Sequence, residues 1–214
     1  MTSTDALILQ LSSGLPPVKR RRVSRDAAAL LALGAVELAL VVLTAGLRPD
    51  MGRVIGAPFM IWKIGSLGVL AGLCCAVAIR SFAPPTSRAR NLKIVLGLAV
   101  LAIVASLTVT PPVDLARPLM ERLAPAHGLI CAGAIVALSL PLMVMLGVLM
   151  RRAAPVSPRR SALASGLAAA TTGALIFTVR CPMNDPLYIV TWYTLGVAIV
   201  STTARWLLPR RFRL

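Results

Sequence analysis

Arg180-Cys181-Pro182-Met183-Asn184-Asp185-Pro186 is a short polar break between two apolar runs, 161–179 and 187–208. Each run is close to the roughly 20 residues that a helix needs to cross the hydrocarbon core of a bilayer. The two prolines of the break interrupt helical hydrogen bonding and separate one crossing from the next. Working outward, the same pattern recurs at 27–47, 59–80, 92–110 and 126–150, with Pro84-Pro85, Pro111-Pro112, Pro155 and Pro158 among the connections. The spacing predicts an all-α polytopic membrane protein, a six-transmembrane-helix bundle. The fourth run carries Pro141, which should kink it unless neighbouring groups compensate.

Composition agrees. The 214 residues have a mean hydropathy of +0.83, and 14% are charged, against about 25% in an ordinary globular domain. A net charge of +16 would suggest nucleic-acid binding in a soluble domain. Here the cations fall in short clusters between apolar runs, so they set topology and imply no direct nucleic-acid partner. Seventeen of the 23 Lys and Arg residues lie on the side of the bundle that holds both termini. The positive-inside rule then predicts a multi-pass bacterial inner-membrane protein with cytoplasmic N- and C-termini.

Three regions follow: a cytoplasmic segment over 1–26, a transmembrane domain over 27–208 and a basic cytoplasmic tail over 209–214. Near the start, Ser3 or Thr4 can cap a helix, and Asp5 suits its positive end. Leu7, Ile8 and Leu11 share one face, and Gly14 with Pro16-Pro17 stops the helix. A helix of about ten residues is marginal alone in water. Its apolar stripe needs a partner, either another protein or the lipid surface.

Cys131 lies early in the fourth run and Cys181 just after the fifth, both toward the outer side. Cys131 is 21 residues before Arg152, and Cys181 is 21 residues after Arg160. A short connection joins the two helices, so the thiols rise to the same depth, about 31 Å from that connection. His127 precedes Cys131 by four residues on the same helical side. Two thiols and an imidazole suit zinc, copper(I) or a heavier thiophilic ion, and two thiols in an oxidising compartment can form a disulfide. Metal capture and disulfide exchange both remain open readings, and so does plain packing.

Other polar residues read more simply. Cys74-Cys75 sits among Leu, Ala and Gly as small packing residues. Lys63, next to Trp62, can snorkel to the interface. Glu37 lies near the middle of the first run, where an ionisable group is either hydrogen-bonded in the bundle or part of a proton path. In the second case the chain would be a small transporter for metal or solute, with Glu37 as coupling residue. His127 is the sole histidine, and no nucleophile–base set converges on one side, so the chain reads as no enzyme.

Several of these stretches resemble the NrsF family of bacterial membrane anti-sigma factors, which restrain extracytoplasmic-function sigma factors of the SigF group. The likeness covers nearly the whole chain. It is carried by Thr4-Asp5-Ala6-Leu7-Ile8 with Leu15-Pro16-Pro17-Val18, by Pro58-Phe59 and Trp62-Lys63, and by His127-Gly128 with Cys131. Its most specific part is Cys181-Pro182-Met183-Asn184-Asp185-Pro186-Leu187 followed by Trp192-Tyr193. The family typically has an acidic residue near Met183, and this chain departs slightly from that pattern there. The resemblance implies that Asp5, Leu7, Ile8 and Leu11 hold the sigma factor at the membrane. It further implies that Cys131 and Cys181 sense thiophilic metal or oxidant, while His127 is a candidate third metal ligand by its spacing alone. No resident cofactor is implied beyond transient binding of a thiophilic metal ion.

Overall fold

A computed structural model describes residues 3–13, 22–82, 88–109, 118–153 and 155–210. Among these the protein is all helical: α1 (Ser3–Ser13), α2 (Val23–Ala45), α3 (Met51–Val54), α4 (Pro58–Ser81), α5 (Arg88–Val109), α6 (Leu119–Leu123), α7 (Pro125–Ala153), α8 (Pro158–Thr178) and α9 (Pro186–Arg210). The stop at Pro16-Pro17, the basic run 19–21, Pro84-Pro85, Pro111-Pro112 and the last four residues of the tail lie outside the described residues.

Five helices are long and apolar enough to span among the described residues, namely α2, α4, α7 with its α6 lead-in, α8 and α9. The chain is therefore a multi-pass membrane protein. The expected third span differs. It falls on α5, whose qualifying apolar stretch is the shorter Lys93–Ala102. Arg88, Arg90 and Lys93 put three cations into the opening turns of that helix, and the stretch is that found among the described residues. The sequence also does not anticipate α3 and α6, two short helices at the end of the bundle that carries the α8–α9 connection.

α8 is the hub, packing against α4, α7 and α9. Its apolar window is 72% buried, against 11% for α2 at the periphery. Lipid tails are as apolar as leucine, so helices in a bilayer associate through close van der Waals packing of small residues. α8 supplies these as Ala162, Ala168, Ala169, Ala170 and Ala174, each fully buried. A Cβ placed at Gly173 would lie 2.6 Å from Ser139 Oγ and 3.0 Å from the Ile135 carbonyl on α7. One at Gly166 would lie 2.7 Å from the Ala204 Cβ on α9. Buried hydroxyls turn inward to their own helices, with Thr178 donating to Ala174 O (2.9 Å) and Ser139 to Ile135 O (2.6 Å). α7 continues as one helix through Pro141.

Two apolar clusters divide the bundle by height. One gathers Ala78, Phe82, Leu146, Met150 and Ala162, and at this end Ser161 Oγ donates to the Ser81 carbonyl (3.2 Å). Cys74 packs here, and Cys75 Sγ lies 3.8 Å from Thr172 Oγ1. The other cluster joins Phe59, Cys131, Ile135, Cys181, Tyr188 and Tyr193. That second end holds the site.

Candidate functional site

The connection between α8 and α9 is built by its own residues before anything docks on it. Cys181 N–H donates to the Phe177 carbonyl (3.1 Å), which finishes α8. Asp185 Oδ1 accepts the Leu187 N–H at 2.9 Å, and Pro186 occupies the first helical position of α9. An aspartate cap followed by proline starts a helix at low cost.

Four other segments then clamp this connection. From the α2–α3 loop, Arg48 donates through its backbone to the Val179 carbonyl (3.2 Å) and through its guanidinium to Asn184 Oδ1 (2.7 Å). The same guanidinium pairs with Asp50 and holds its carboxyl below the usual carboxylate range. Arg48 is only 5% exposed. From α6, Arg122 binds Asp185 with two prongs (2.9 and 3.2 Å). Burial pushes the Asp185 carboxyl up, but Arg122 and the Leu187 N–H outweigh it, so the net shift is downward. From α4, Lys63 Nζ donates to the Met183 carbonyl (3.4 Å). From α7 comes Cys131.

Cys131 and Cys181 lie in the same buried cluster, near enough for each thiol to influence the other's ionisation. Both are free thiols and both are buried, Cys181 completely. The Cys131 sulfur also lies 3.0 Å from the Tyr188 hydroxyl. The Cys131 side chain, with help from the Lys63 ammonium, holds the Cys181 thiol below its ordinary range. Cys131 reaches this position because the buried stripe of α7 runs Gly128, Cys131, Ala132, Ile135. Gly128 is required here, since a Cβ would overlap the Trp192 indole, and that indole donates to the Leu123 carbonyl (2.8 Å).

His127 departs from the expected ligand set. It sits at the edge of the buried stripe of α7 and is exposed, so the structure does not bring it into the thiol pair. Among the described residues, no group of three or more His, Cys, Asp or Glu side chains could hold a metal ion. The two sulfurs are what remains of that set. The tyrosine, the lysine and both arginines were legible only as residue types, because their role depends on the fold of a loop over 100 residues away from Lys63.

Lys63 also departs from the snorkelling expectation, being fully buried beneath the α8–α9 connection. Leu7, Ile8 and Leu11 all lie on α1 and are each more than half exposed, on a helix that also carries Asp5. α1 and the thiol pair are separate places. Glu37 is buried on α2, and neither carboxyl oxygen has a hydrogen-bond partner among the described residues.

The chain from residue 11 to 214 matches a family model described as "Negative regulator of sigma F". It is 28% identical over 210 residues to the "Anti-sigma-F factor NrsF" of Caulobacter vibrioides, covering 94% of this chain and 93% of that one. It is also 28% identical over 202 residues to the "Probable anti-sigma-F factor NrsF" of Azospira oryzae, covering 92% of each. No solved structure matches. With the family model spanning nearly its whole length, the chain belongs to the NrsF family of negative regulators of sigma F, and thus among regulators rather than enzymes.

Proposed function

We propose that the chain is an inner-membrane anti-sigma factor that sequesters an extracytoplasmic-function sigma factor and releases it when its outer thiols react. The observation that carries the sensing half is the burial of Cys131 and Cys181 in one cluster, near enough to influence each other. Oxidation joins the sulfurs, and the two thiols give up two protons and two electrons to the oxidant. A thiophilic metal ion takes both sulfurs instead and displaces their protons. Either event changes the contact between α7 and the α8–α9 connection, hence the relative stability of two bundle states with different affinity for the partner.

Sequestration falls to the cytoplasmic segment 1–26, with Asp5, Leu7, Ile8 and Leu11 as the docking face. The exposure of all three apolar side chains supports this assignment. An amphipathic helix of this kind suits a hydrophobic groove on a partner. Six crossings over 27–208, with a cytoplasmic tail from 209, put that face and the thiols on opposite sides. Support for the sixth comes from chain geometry. α4 begins beside the thiols and ends at Ser81, against the start of α8. α7 begins back at the thiol end, so the chain must return between them. The 22 residues of α5 extend about 33 Å, enough for that return.

Copurification from bacterial membranes tests the reading. The sigma factor should be retained at rest, lost on treatment with a thiophilic metal ion or diamide, and kept by Cys131→Ser/Cys181→Ser under the same treatment. Equal loss from wild type and the double variant would remove the sensing role. A sigma factor never retained would remove the function.

A further inference from the structure

We propose that Lys63 is the coupling residue of the thiol site, passing chemistry at Cys181 into the N-terminal end of α4. This inference rests on the thiol reading given above.

Lys63 stands in the second turn of α4 and is fully buried. Its ammonium has three compensating neighbours. Nζ donates to the Met183 carbonyl at 3.4 Å, lies 5.3 Å from the centroid of the Tyr193 ring, and is within electrostatic reach of Cys181 and Cys131. Arg48 is the other nearby cation, and it is already engaged by Asp50 and Asn184. No Asp or Glu among the described residues forms an ion pair with Lys63. A buried cation without a carboxylate depends heavily on each remaining partner. Here the polarizable partner is sulfur.

Both inputs remove that partner. When an azo oxidant such as diamide takes up the two protons and two electrons of the thiols, it becomes the hydrazine. The Cys181 sulfur is then spent on its bond to Cys131. When a soft divalent metal ion binds both sulfurs instead and displaces their two protons, the neutral complex ties up the sulfur lone pairs that faced the ammonium. In each case Lys63 is left with one carbonyl and one ring face. Its stem is long enough to carry the charge toward the interface, but the Met183–Asp185 stretch lies over it, so that stretch and α4 must separate. The opposite end of α4 is where Ser81 meets Ser161, on the side assigned to the sigma factor. One lysine thus converts two chemically different events into the same displacement.

The test uses the full chain coexpressed with its sigma factor, in a Cys74→Ala/Cys75→Ala background so that thiol labelling reports only the pair. Native membranes are treated with diamide. Disulfide formation is scored by the gel shift of denatured, maleimide-labelled protein, and sigma-factor retention by copurification. Wild-type Lys63 should give disulfide and about tenfold loss of retention, an ordinary size for coupling between sites. Lys63→Met should reach the same final extent of disulfide at saturating diamide, more slowly because it lacks the ammonium that favours the Cys181 thiolate. It should keep the sigma factor, while Lys63→Arg should restore release. Release from Lys63→Met equal to wild type at equal disulfide overturns the proposal. So does failure of Lys63→Met to form the disulfide even at saturating diamide, since the lysine would then act on thiol reactivity alone. Constitutive release from both Lys63→Met and Lys63→Gln overturns it too, since the lysine would then only hold the resting bundle. Disulfide without release in the Lys63 wild type refutes the thiol reading itself, a result distinct from the others.

Discussion

Arg122 and Asp185 close on each other through two parallel hydrogen bonds, 2.9 and 3.2 Å long, across 63 residues of sequence. Asp185 also caps α9 through the Leu187 N–H, so one carboxylate fastens the α8–α9 connection both to α6 and to the helix it begins. Asp185→Ala removes both functions. Loss of an aspartate cap costs about 1 kcal/mol; the partly exposed ion pair adds little. The expected result is a fall of a few degrees in the melting temperature of the detergent-solubilised protein, with Asp185→Asn falling less because an amide oxygen still caps.

The same carboxylate gives a pH dependence. Its folded pKa lies below the usual value, so its contribution is fully present above about pH 4, the unfolded value, and is lost as pH falls through the folded one. The apparent stability of wild type minus Asp185→Asn should therefore stay constant from neutral pH down to about pH 5 and narrow only below that. Thermal unfolding across a pH series measures it. A difference that closes already between pH 7 and pH 6 would show that Asp185 is not the group responsible.

Gly128→Ala drives a methyl into the Trp192 indole. Forced overpacking in a filled core costs about 1–3 kcal/mol. Because Trp192 also donates to Leu123, the strain reaches α6 as well as the stripe carrying Cys131. Thermal stability should fall, and diamide should form the Cys131–Cys181 disulfide more slowly. Adding Trp192→Phe, which makes room but forfeits the indole hydrogen bond, should recover part of the loss.

Replacing Leu7, Ile8 and Leu11 together with Asp removes the apolar face of α1 without touching the bundle, since all three side chains are exposed. Sigma-factor retention should drop at least tenfold, the scale of a few lost hydrophobic anchors, while membrane insertion and melting temperature stay unchanged. Normal retention would assign the docking surface elsewhere.

Glu37→Gln separates regulation from transport. Both carboxyl oxygens are buried without partners among the described residues, so a neutral amide of the same shape should leave sigma-factor retention and release intact. Proteoliposome flux of metal that vanishes with this substitution would instead favour a transporter.

The spans were legible because hydropathy and proline spacing are local. The expected runs 59–80, 126–150 and 187–208 fall inside α4, α7 and α9, with ends within a few residues. Equal depth of Cys131 and Cys181 was legible too, since helical rise is constant. Contact partners were not. Lys63 reads as an interfacial cation until the α8–α9 connection is folded over it, and Arg48 reads as one loop charge among several. His127 shows the converse. Its four-residue spacing from Cys131 is correct for a shared helical side, yet the fine angular position of a side chain depends on which neighbour covers that side.

The burial of α8 has a consequence for biogenesis. Its alanines, serines and threonines give it a mean hydropathy of 1.4, against 2.5 for the window containing α7, so it partitions into lipid weakly by itself. It is also synthesised later than α4 and α7. By then α4 and α7, which flank it, already stand in the membrane and offer it a groove. α8 is therefore retained by its neighbours more than by the lipid, and chains ending before α9 should leave it poorly inserted and open to membrane proteolysis.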